Sequence, residues 1–377
     1  MNMNNFVDFA WNVAHRKHAG TRAFRMPALL GLLLCAAGLL AIPGKAFAQV
    51  FPRGVFSLSN PDRIANETVL NNPDVTAISI RHGWASLEPA EGVFDWTFLD
   101  SEVARAAAAG KRVMLRIGTQ TSKPAWVITA IENAGGTFFT FLDHGVLTTI
   151  PVFWDPTFLA KKTAMITALG EHFTNNPAVT VVSASFANCC GEDWGVPHTP
   201  PDIARWLALG YTSEKMLEAG RTIIDATMAA FPNQYVTLSV GGTGKGHGTD
   251  LDPTDDYVAR NAVLNARASW PGRLFVQRNI LSTCIPPAPG TDTLFETLMW
   301  DFQPLVGWQM LYPCNNDPTY RVNCGVPIDP AAALRRSVDA GVSYGGKFIE
   351  IYQTDVINLP GAITYAHDTL VGQDPDP

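Results

Sequence analysis

The chain has 377 residues, of which 47% are hydrophobic and 16% charged, and its net charge is −7. That apolar share is enough for one large core, and the negative charge argues against nucleic acid or an anionic membrane surface as partner. Ten Trp and twenty Phe form a rich aromatic stock, which builds core and also suits stacking on sugar rings.

At the N-terminus, Arg22 and Arg25 precede the apolar run Ala28 to Leu40, and Ala46-Phe47-Ala48 follows just before Gln49. Basic, apolar, then A-x-A is the order of a secretory signal. Residues 1–48 are therefore expected to be a signal peptide with an extended N-terminal region, residues 49–377 the mature domain, and the location secreted or periplasmic. The apolar run is short for a membrane span, so no integral span is expected after signal removal. Leu34 before Cys35 makes a poor lipobox.

From residue 54 onward, short β-branched runs alternate with amphipathic segments. The runs predict strands at 54–58, 75–81, 112–117, 179–186, 235–240, 274–277, 306–311 and 348–352. Helices are expected over 98–110, 156–175, 201–231, 255–270, 294–302 and 330–340. Strand and helix in alternation imply a parallel sheet, and eight such units imply a single closed (β/α)8 TIM barrel of the α/β class. A doubly wound open sheet is the alternative, disfavoured because no GxGxxG follows the first strand. The Gly-rich stretch Gly241 to Thr249 lacks the Gly-Lys-Ser/Thr ending of a phosphate loop and reads as a flexible loop.

Five cysteines remain after residue 48, and an exporting chain should pair them with one thiol left over. Cys314 and Cys324 bracket one loop and are expected to close it. Cys284 is expected to reach Cys189 or Cys190. No CxxC or HxxxH spacing accompanies them and the eight His do not cluster, so no metal and no cofactor are expected. A Gly-x-Ser-x-Gly nucleophile elbow is missing too.

The stretch Ser183 to His198 ends a strand and then collects Asn188, Glu192, Asp193, Trp194 and His198. In a parallel barrel the loops after the strands converge on one face, where chemistry collects. A carboxylic acid beside an indole suits general acid work on a sugar, because apolar walls raise its pKa. The alternative is a solvated surface loop.

Trp84 to Asp100, with Trp84, Glu88, Pro89, Gly92, Phe94 and Trp96, is the most specific stretch in the chain. It resembles the second βα loop of clan A glycoside hydrolases, especially the β-galactosidase family 42 group, where Trp-x-x-x-Glu-Pro-x-x-Gly leads into a helix. Read physically the pattern is structural: Glu88 and Pro89 fix a turn, Gly92 permits the reversal, and Phe94 and Trp96 pack beneath the rim. Similar stretches in those families are Pro124-Ala125-Trp126 and Trp154-Asp155-Pro156. They suggest Trp126 as a sugar platform and Trp154 at the site entrance, with core packing as the rival role. Asp155 before Pro156 is an ordinary helix start.

The resemblance places an acid/base carboxylate at the end of strand four, directly after an Asn. Here Asn188 is present, but Cys189, Cys190 and Gly191 intervene before Glu192. Glu192 is the expected acid/base, with Asp193 as fallback and Asn188 as a donor to the sugar. Clan A places the nucleophile on strand seven, yet residues 306–311 contain no acid. The next strand does, with Phe348, Glu350 and Tyr352 alternating onto one face. Glu350 is the candidate nucleophile and Tyr352 its neighbouring donor. The rival is a structural ion pair with an interior arginine, Arg81 or Arg116. An arginine locking Glu350 beneath the rim would count against the nucleophile. Arg81, Trp126, Trp154, Asn188, Trp194, Gln309 and Tyr352 complete the expected substrate-binding set, and Gln277 to Asn279 suit hydroxyl recognition equally with interior polar bonding.

The expected function is a secreted glycoside hydrolase acting on carbohydrate through two carboxylates with retention, which calls for carboxyl groups about 5–5.5 Å apart. A non-catalytic carbohydrate-binding barrel is the alternative; a secreted scaffold with a plugged barrel is a third.

Overall fold

The computed structural model describes residues 49–118, 123–143, 145–185, 197, 199–240, 257–290 and 299–372. Ten strands lie among them: β1 (Gly54–Leu58), β2 (Val75–His82), β3 (Arg112–Ile117), β4 (Phe138–Asp143), β5 (Val146–Pro151), β6 (Val179–Ala184), β7 (Tyr235–Ser239), β8 (Leu274–Leu281), β9 (Val306–Met310) and β10 (Gly346–Tyr352). Eight close into a parallel barrel in the order β1-β10-β9-β8-β7-β6-β3-β2, and β4 and β5 form a separate antiparallel hairpin. The expected (β/α)8 barrel is present, with each predicted barrel strand in place.

The barrel closes because each strand carries two apolar faces. Val55, Ile78, Leu115, Val182 and Ile349 face outward into the large core beneath the helices. The inward residues alternate with them. Phe56, Ala77, Met114, Val181, Phe275 and Phe348 form an apolar floor inside the barrel. Phe348 stacks on Phe56 with ring centroids 4.7 Å apart. Room for that ring comes from Gly307 on β9, where a Cβ would stand 2.1 Å from it. Large and small residues thus interlock across facing strands, filling the interior to side-chain density.

Helices at Thr97–Ala108, Pro156–Phe173, Tyr257–Ser269 and Pro330–Ser343 cover the barrel much as expected. The single helix expected over 201–231 is instead two, Pro200–Ala208 and Ser213–Ala230. Gly210 takes φ +80 between them, and Thr212 then caps the second helix by accepting the Lys215 N–H. The hairpin and the helices Ala125–Asn133, Gln353–Asn358 and Pro360–Val371 were not anticipated. None of the helices among the described residues is long and apolar enough to cross a membrane.

The cysteine expectation is corrected. Cys284 pairs with Cys324, and Cys314 is a free, buried thiol. The reason is local docking. Thr283 donates its backbone N–H to Val322 O and its hydroxyl to Asn323 Oδ1, which brings 283–284 against 322–324. Cys314 is turned elsewhere, its N–H held by Asp355 at 2.8 Å. Cys189 and Cys190 lie outside the described residues.

Candidate active site

Above the apolar floor the inward positions turn polar. β2 contributes Ser79 and Arg81, β3 Arg116, β7 Thr237, β8 Gln277 and Asn279, β9 Gln309, and β10 Glu350 and Tyr352. The alternation that fills the floor also brings these groups inward, two residues further along each strand. Most are buried, and Glu350 is 0% exposed.

Glu350 is the hub. Arg116 Nη1 donates to its Oε2 at 2.6 Å. Gln277 Nε2 donates to the same oxygen, and the Ser79 hydroxyl donates to Oε1. Gln277 is fixed in turn by Thr237, whose hydroxyl donates to its Oε1 at 2.9 Å. Arg116 Nη1 also donates to Gln309 Oε1 at 2.5 Å. A carboxylate taken fully out of water is costly unless paired and hydrogen-bonded, and this one is both.

The ion-pair partner is Arg116. Arg81 does not orient Glu350 directly: its Nε donates to Ser59 O at 2.9 Å at the end of β1. Burial, and then Arg116 beside it, lower the Arg81 guanidinium to a pKa of about 10. Tyr352 stands nearby, raised above the usual phenol range by burial, with Glu350 adding to the rise; Arg81, Arg116 and a hydrogen bond to Gln309 oppose it. Arg81, Gln309, Glu350 and Tyr352 are therefore brought together. Ser79 and Thr237 were missed by sequence reasoning, although Ser79 shares the inward parity of Arg81, two residues away.

Of the tryptophans expected at a sugar site, Trp126 and Trp154 lie among the described residues. Trp126 Nε1 donates to Glu88 O at 2.9 Å, and its ring meets Trp84 edge-on at 6.3 Å. Trp154 lies in an aromatic cluster with Trp206 and Tyr211, at 6.0 and 5.9 Å. These contacts anchor both rings, each of which stays half-buried. Asp155 caps its helix as expected, its Oδ1 accepting the Phe158 N–H at 2.8 Å. Asn188, Glu192, Asp193, Trp194, His198 and the 241–249 loop lie outside the described residues.

The Trp84 to Gly92 pattern acquires a physical cause. The Glu88 carboxylate is buried, and it accepts from Trp84 Nε1 at 2.8 Å and from Gly92 N at 2.9 Å. Gly92 takes φ +72, which only glycine adopts freely. Phe94 stacks on Trp96, and Trp96 on His172 of the next barrel helix.

The seventh barrel strand in chain order is β9, and its inward residue beside Glu350 is Gln309, in direct register. The acid is on the eighth strand. No group of three or more His, Cys, Asp or Glu suited to a metal ion occurs among the described residues.

Residues 64–193 match the family model of glycoside hydrolase family 42, described as beta-galactosidase. Over that span the chain is similar to the barrel of glycoside hydrolase family 42. The matched span takes in β2, β3, the Trp84 pattern and Glu192, and ends before Glu350. Solved structures agree at the level of fold. A β-galactosidase from the psychrophilic Marinomonas ef1 is 12% identical, with a TM-score of 0.51, covering 79% of this chain and 53% of its own. The catalytic domain of a β-amylase from Paenibacillus polymyxa is 11% identical, with a TM-score of 0.56, covering 85% of this chain and 99% of its own. The chain thus spans about half the length of that β-galactosidase. Comparison with curated proteins gives no match.

Proposed function

We propose that the chain is a secreted or periplasmic glycoside hydrolase that cleaves O-glycosidic bonds of a carbohydrate with retention. The observation that carries the reading is the family 42 match over residues 64–193; Glu350, fixed from three strands below a polar barrel mouth, is the candidate nucleophile, and its lock onto Arg116 counts against that role. Preorganised donors around a reacting group spare reorganisation at the moment of reaction. Arg116 and Gln277 take Oε2, while Oε1 accepts from Ser79, a hydroxyl free to rotate. Oε1 is then the attacking oxygen. Glu192 protonates the leaving oxygen as Glu350 attacks the anomeric carbon. Water afterwards displaces Glu350, with Glu192 taking its proton. The chemistry draws on side chains alone and needs no cofactor.

A second reading has a specific observation in its favour. Glu350 is fully enclosed in its ion pair, and the seventh strand offers Gln309 in place of an acid. A non-catalytic carbohydrate-binding barrel would keep such a pair for structure. Aryl glycosides and polysaccharides are screened with wild type, Glu192→Gln and Glu350→Gln, alongside thermal unfolding. Loss of turnover in folded Glu350→Gln supports the nucleophile. Normal turnover removes Glu350 from the reaction, and a sugar bound but never cleaved by wild type favours the binding barrel.

A further inference from the structure

We propose a second, non-catalytic sugar site in the segment after β9, which takes one neutral hexose ring. A cavity of about 230 Å³ opens there between residues 314–328 and the start of the helix Pro330–Ser343. It is smaller than the roughly 300–1,000 Å³ of drug-sized pockets, which suits a single ring. The strands of the barrel are parallel, so this segment leaves the same end as Tyr352 and the polar mouth. The choice of a sugar as ligand rests on the glycosidase reading above.

The lining is mixed in the way a sugar requires. Asn315, Asn316 and Asp317 bring amide and carboxylate groups, Tyr320 an exposed ring, and Val322 and Ile328 an apolar wall. Asp317 also braces the wall. Its Oδ2 accepts the Val322 N–H at 2.7 Å, but its Oδ1 is buried with no hydrogen-bond partner among the described residues.

The walls are built before any ligand arrives. Cys284–Cys324 ties the segment to β8's end, and Asp355 accepts the N–H groups of both Cys314 and Asn315. Tyr320 is held at φ +55, a left-handed conformation uncommon for an aromatic residue. Preorganisation of this kind cuts the cost of binding.

The test titrates D-galactose and D-glucose into wild type, Asp317→Ala and Asn316→Trp by calorimetry, with hydrolysis of a small aryl galactoside followed in parallel. Asn316 is exposed, so its replacement fills the cavity with little risk to folding. The expected result is a hexose site in wild type that weakens at least tenfold in both variants while aryl glycoside turnover is unchanged. Equal affinity and stoichiometry in all three proteins, or no saturable hexose binding to wild type, overturns the site. Failure of the glycosidase reading looks different: wild type leaves every aryl glycoside intact, whatever the calorimetry gives.

Discussion

Arg116 and Glu350 meet across the inside of the barrel, Nη1 to Oε2 at 2.6 Å, although β3 and β10 are not neighbours in the sheet. The pair is a cross-brace, not a rung between adjacent strands. It is enclosed on every side, Arg116 being 4% and Glu350 0% exposed. Removing one partner strands the other charge, at a cost of about 3–5 kcal/mol. Arg116→Met should therefore destabilise by that order in urea unfolding, and Arg116→Met with Glu350→Gln by clearly less than the two single changes added. Additive losses would show that the two groups do not act as a pair.

Glu88 makes a separate prediction about the family pattern. Glu88→Ala leaves the Trp84 indole N–H and the Gly92 N–H without their acceptor. At about 1–3 kcal/mol for each stranded donor, the melting temperature should fall by several degrees. Glu88→Gln keeps one acceptor oxygen and should lose less. Turnover per folded molecule should be little changed, since these bonds shape the loop and touch no reacting group.

Asp355 gives a dependence on pH. Burial raises its carboxyl from 3.8 to about 6, opposed by the N–H groups of Asn315 and Cys314. The folded chain thus keeps this proton to higher pH than the unfolded chain. Its contribution is greatest below about pH 4 and falls as pH rises through about 6, by up to roughly 3 kcal/mol. Asp355→Asn should remove that component. The stability difference between wild type and variant, measured by urea unfolding from pH 4 to 7, should shift toward the variant as pH rises. A flat difference would show that Asp355 titrates at its ordinary value.

Gly307 tests the barrel floor. A Cβ there stands 2.1 Å from the Phe348 ring, which itself packs on Phe56 and Phe275. Gly307→Ala should cost about 1–3 kcal/mol through overpacking. Phe348→Leu in the same chain should recover part of the loss, whereas each change alone destabilises. Circular dichroism with thermal melts of the four proteins measures the coupling.

Periodicity made the barrel legible, because a strand buried on both faces must be continuously apolar and each helix between strands must be amphipathic. The break at Gly210 was harder to see. Residues 201–231 keep helical periodicity across it, and the helix is interrupted by Gly210 at φ +80 and the extended Thr212 at φ −140. The β4–β5 hairpin was hidden in Phe138 to Pro151, where two short runs alternate weakly and Gly145 gives the turn its φ of +84. The cysteines misled for another reason. Nearness in sequence favoured Cys314 with Cys324, but loop docking put Cys284 beside Cys324 instead.

By itself the sequence determined the parallel barrel, the inward parity of Glu350 and Tyr352, and the structural character of the Trp84 pattern. These follow from local rules: alternation along a strand, the backbone freedom of glycine, and an acid set four residues from both a Trp and a Gly. Which arginine meets Glu350 was decided only by tertiary structure. Arg81 and Arg116 share the same inward parity and are partners in register on β2 and β3, so no local signal separates them. Closure of the barrel does: it brings Arg116 across the interior to Glu350, while Arg81 is held at the strand end by the Ser59 carbonyl.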